Sequence, residues 1–123
     1  MKKLKDDLLY TDEKTGEQVV FNHYSFCELI KWIIVRYASK TYKDANELVN
    51  KSVLVNEPES YLSVTLITHE LEYHWAMIVA HGDMYWQRGI PSDFKKFSDE
   101  YSEWEKEIIK SYNLKEPYIY LDN

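Results

Sequence analysis

The chain has 123 residues, a formal net charge of −6 and 45% hydrophobic residues, which bounds it to a single domain, 1–123, with enough apolar side chain for a core and too much for a disordered tail. The acid excess excludes general binding to a nucleic-acid phosphate backbone, which needs a basic face. One cysteine, Cys27, excludes an internal disulfide. Asp6 and Asp7 interrupt any leader-like apolar run after Met1, and the stretch around Ile33–Val35 is far shorter than the ~18 residues of a membrane span, so a cytoplasmic protein away from membranes is expected.

Gly and Pro number only three each, against eleven Tyr and four Trp, a composition that favours long helices joined by short connections. The first legible element is Tyr10–Phe21, read as a β-hairpin with its turn in Asp12–Gly16. Two strands alone are marginal in water, so the hairpin must lie on helices or gain a third strand. Asn22 or Ser25 then caps a helix over about 24–39. Phe26, Ile30, Ile33 and Tyr37 form one of its faces, with Trp32 and Val35 on the opposite side, there to be covered by another layer or to serve a partner surface. Thr41–Ser52 reads as a short helix capped near Thr41 or Asp44, and Val53–Val55 as an apolar connection.

Residues 58–82 form the stretch around which the rest is arranged. Pro58 after Asn56 reads as a helix start, and Gly82 is the first residue able to end it. A helix of that length would run ~36 Å. On its wheel Ile67, Leu71, Trp75, Ile78 and Val79 share a sector, and Glu70, His74, Met77 and His81 share the neighbouring stripe. So little of the circumference is polar that a central, buried helix is predicted. Ser92 begins a further helix in which Phe94, Phe97, Tyr101, Trp104, Ile108 and Tyr112 recur at steps of three and four. Asn113-Leu114 matches a left-handed cap, and Pro117–Leu121 alternates as a candidate third strand for the hairpin.

The fold class expected is therefore mainly α. About four helices surround a central one at 58–82, and the N-terminal hairpin is joined by a C-terminal strand.

Four features bear on chemistry. His69 and His74 stand at i and i+5, about 140° apart on a helix, so the pair fails the zinc-protease spacing of i and i+4. Glu70 and His74 do have i, i+4 spacing. They are the candidate ligands of a divalent metal, or the acid–base pair of a helical-bundle hydrolase. Cys27 lies mid-helix among apolar neighbours and reads as a small buried hydrophobe rather than a nucleophile. Last, Glu100, Glu103 and Glu107 follow one another on one face of the final long helix, a negative surface suited to a basic partner.

Small size, acidic charge, surplus Tyr and Trp and the absence of a catalytic motif favour a non-catalytic protein that binds another protein. An inhibitor or immunity-type protein masking a basic surface fits this description, with Glu100, Glu103, Glu107 and Trp32 carrying the contact and no cofactor required. Two alternatives remain: the metal or hydrolase reading on Glu70 and His74, and a small-molecule-binding helical domain with a Trp- and Tyr-lined pocket.

Overall fold

A computed structural model describes residues 4–82, 84–90 and 98–121. It is mainly helical, with a small antiparallel sheet built from the two ends of the chain. The hairpin strands are β1 (Leu8–Thr11) and β2 (Gln18–Phe21). The helices are α1 (His23–Tyr37), α2 (Tyr42–Asn50), α3 (Tyr61–Thr68), α4 (Glu72–His81) and α5 (Ser98–Ser111), followed by β3 (Tyr118–Leu121).

The hairpin turn is closed by hydrogen bonds from Asp12 N–H to Glu17 O and from Gly16 N–H to Asp12 O, both 2.8 Å. Gly16, at φ +75°, occupies the left-handed position that a side chain would strain. The third strand joins as the sequence suggests: β2 is central, pairing Val19 with Tyr10 on one side and with Tyr120 on the other. Val19 and Phe21 point inward and are fully buried against the helices.

Asn22 ties the sheet to α1. Its side chain makes no cap bond to the helix it precedes. It accepts instead from Asp7 N–H at 2.8 Å and donates to Glu116 O at 2.6 Å, holding the approaches to β1 and β3 together. The side chain of Thr41 caps α2 by accepting from Asp44 N–H, as predicted. At the end of α5, Leu114 N–H reaches Ile109 O and Asn113 N–H reaches Lys110 O, with Asn113 at φ +53°. This is the Schellman arrangement, with Asn in the left-handed site.

The predicted helix over 58–82 is corrected. It is two helices, α3 and α4, with Leu71 extended between them (ψ 146°) and serving as the N-cap of α4. Helix α3 itself begins after Ser60, whose hydroxyl accepts from Ser63 N–H, and not at Pro58.

The interruption has local and tertiary causes. The Thr65 and Thr68 hydroxyls bond backwards to Leu62 O and Thr65 O, competing for carbonyls the helix would use. The Trp75 indole N–H then takes Ile67 O at 2.8 Å, satisfying a carbonyl that a continuous helix would give to Leu71 N–H. Gly82, at φ +92°, ends α4 where expected.

The centre of the fold is accordingly α1 and not the 58–82 stretch. Nine of its fifteen residues are buried, and α2, α4 and α5 pack around it. The predicted cap at Ser92 and the positions of Phe94 and Phe97 lie outside the described residues. Among the described residues no helix is long and apolar enough to cross a membrane.

Candidate partner-binding surface

Helix α5 runs antiparallel to α1, since Glu100 meets Arg36 near the end of α1 while Tyr112 meets Trp32 one turn earlier. This register brings the four residues singled out from the sequence to one side of the molecule. Glu100 Oε1 accepts from Arg36 Nη2 at 2.7 Å, and the guanidinium lies 5.4 Å from the Trp104 ring and 5.5 Å from Tyr37. One of the three glutamates is thus engaged within the chain.

Glu103 and Glu107 are exposed and have no ion-pair partner among the described residues. With Arg36, Glu100 and Trp104 they line a shallow cleft of about 360 Å³, in which three carboxylates face one guanidinium.

Trp32 is half-buried, its ring stacked 4.5 Å from Tyr112 and 4.9 Å from Tyr42. The layer over it is therefore supplied by α2 and the end of α5. Both covering tyrosines are themselves exposed, at 37% and 49%, so the stack presents aromatic edges to solvent beside the acidic cleft. Beneath it Lys31, almost wholly buried, pairs with Glu28 at 2.6 Å, and the Tyr42 hydroxyl donates to the same carboxylate at 2.8 Å. A neutralised, hydrogen-bonded cluster of this kind fixes the stack in place without adding net charge.

Glu105 of α5, Glu72 of α4 and Glu116 beyond α5 are interacting carboxylates that the sequence pattern did not mark. Burial, together with the charges of Glu105 and Glu116, pushes the Glu72 carboxyl up to about 7. Burial also raises Glu105, and the hydrogen bond from the Tyr101 hydroxyl offsets part of that rise. The spacing of Tyr101 and Glu105 at i and i+4 was legible. The approach of Glu72 from another helix was not.

The other candidates are placed as follows. Glu70 lies in the break before α4, exposed, with Oε2 3.9 Å from His74 Nε2. His74 Nδ1 is 2.9 Å from the Tyr85 hydroxyl, and Trp86 stacks on the ring. Glu70 and His74 are two donors, and among the described residues no three of His, Cys, Asp and Glu converge as a metal site. His69 is the C-cap of α3 and is exposed. Cys27 is fully buried, and burial pushes its thiol up to about 12, which removes the thiolate that nucleophilic chemistry requires. Comparison with known proteins yields no matching family model, no matching curated protein and no matching solved structure.

Proposed function

We propose that this protein acts without catalysis, by binding another protein through the side formed by α1 and α5. The observation that carries the reading is the juxtaposition of free carboxylates, Glu103 and Glu107, with the aromatic set Trp32, Tyr42, Tyr112 and Trp104. Aromatic anchors supply most of the energy in such contacts, while unpaired rim charges steer the approach and select the partner. Three carboxylates against one guanidinium select a basic surface. An inhibitor or immunity-type protein covering a basic active site is the functional class that this chemistry fits.

The test is affinity capture from cells with the wild type and with the Glu100→Gln/Glu103→Gln/Glu107→Gln variant. A basic partner retained by the wild type should bind the variant roughly 10–100-fold more weakly, at 1.4 kcal/mol per factor of ten. The wild-type complex should also weaken as salt rises, because these charges are exposed. An unchanged set of partners at unchanged affinity overturns the reading.

The second reading, a metal-dependent or hydrolytic site on Glu70 and His74, rests on the Tyr85 hydroxyl that orients the imidazole. It predicts about one divalent ion per chain in protein purified without a histidine tag, measured by elemental mass spectrometry and lost in His74→Ala. Metal-free wild-type protein removes the metal form of that reading.

A further inference from the structure

The edge of β1 that faces away from β2 lies outside the α1/α5 surface and shares no residue with it. The ladder fixes which backbone groups are free there. Asp12 N–H bonds to Glu17 O, and the register continues through Tyr10↔Val19 and Leu8↔Phe21. Alternation in an antiparallel pair then turns the N–H and C=O of Leu9 and Thr11 away from β2. Among the described residues no strand lies beyond β1. Edge strands are usually blunted by charge or proline, and Leu8-Leu-Tyr-Thr11 carries neither.

This edge opens onto a groove of about 620 Å³ between β1 with its turn and the start of α3. Its apolar walls are Leu9 and Leu62, 55% and 66% exposed, values at which neither side chain is used by the core. Its charged rim is Asp12, Glu13 and Glu59 against Lys14.

We infer that this groove takes an extended segment of a protein partner as a fourth strand on β1, and that the segment alternates basic with β-branched or aromatic residues. The free backbone groups of Leu9 and Thr11 supply the main-chain pairing of strand addition. Leu9 and Leu62 receive alternate apolar side chains, and the acidic rim receives the basic ones. A second copy of this chain fits poorly, since it would set the same acidic rim and a further −6 of charge against the first. The inference stands apart from the α1/α5 surface and uses none of its residues.

The experiment is selection of a random heptapeptide phage library on the full chain, followed by affinity measurement of the enriched peptides on variants. Thr11→Pro removes the outward N–H at an edge position where proline is tolerated. The Thr11 hydroxyl it deletes accepts an exposed bond from Gln18, so the ladder to β2 is kept. Glu13→Lys/Glu59→Lys reverses the rim and leaves the strand untouched, which keeps the test decisive even where the proline variant unfolds by circular dichroism.

Enriched peptides should alternate Lys or Arg with Val, Ile or Tyr. They should lose at least about tenfold in affinity on each variant and bind the Glu103→Gln/Glu107→Gln protein as they bind the wild type. Three results overturn the inference: no enrichment over the uncoated surface, equal binding to folded Thr11→Pro and the charge-reversed chain, or a sedimenting dimer that Thr11→Pro dissociates, which would put a second copy on the edge.

Discussion

Replacing Glu72 by Gln is expected to stabilise the protein above pH 7 by on the order of 2–3 kcal/mol and to leave it unchanged near pH 4. Glu72 is the first residue of α4, where the helix dipole favours a negative charge by ~0.3–1 kcal/mol. Burial and the neighbouring Glu105 and Glu116 outweigh that, moving its carboxyl from 4.5 up to about 7. The folded state therefore holds a proton on Glu72 between pH 4.5 and 7 that the unfolded chain releases. Its contribution to stability is fully present below pH 4.5 and is lost as pH rises to 7. Glutamine keeps the volume and has no proton to lose. Thermal melts of the two proteins should coincide near pH 4 and separate by on the order of 5–10 °C at pH 8. Parallel curves across that range would show that Glu72 ionises freely in the folded state.

Asn22→Ala should destabilise the fold by roughly 1–3 kcal/mol, since the buried Asn22 side chain gives up two part-buried hydrogen bonds to the backbone, each worth about 0.5–1.5 kcal/mol. The variant removes the bonds to Asp7 N–H and Glu116 O together, at the point where the two outer strands are gathered onto α1. Denaturant unfolding would give the loss, and amide exchange its location. Protection should fall first in Tyr118–Leu121, whose pairing starts beside this residue with Asn22 N–H bonded to Pro117 O at 2.9 Å. A uniform loss of protection across all helices would assign Asn22 to the core as a whole and not to the sheet.

Both predictions turn on residues that the sequence only half reveals. The hairpin, the caps at Thr41 and Asn113, the end of α4 at Gly82 and the third strand were legible because each depends on neighbours within a few positions or on simple alternation. The break at 69–71 was hidden. His, Glu and Leu continue a helical pattern without penalty, and beside the threonine hydroxyls the break involves an indole bonding back to Ile67 from beyond it. The acidic stripe of α5 was likewise readable as a period. That Glu100 would land on Arg36, leaving Glu103 and Glu107 free, depends on the antiparallel register of two helices that pairs residues 64 positions apart. Glu72 and Glu105 met through the same kind of tertiary proximity. Periodicity identifies which face a side chain occupies and says nothing of what arrives opposite it.

The central place of β2 has a kinetic consequence. Its pairing with β1 closes a tight turn, whereas its pairing of Val19 with Tyr120 closes a loop of roughly a hundred residues. Loop closure of that length is rewarded only after the intervening helices have condensed and brought the ends together. The hairpin and α1 are thus placed to form early, and β3 to be the last strand laid down. Mutations in β3 should accelerate unfolding while leaving the refolding rate nearly unchanged.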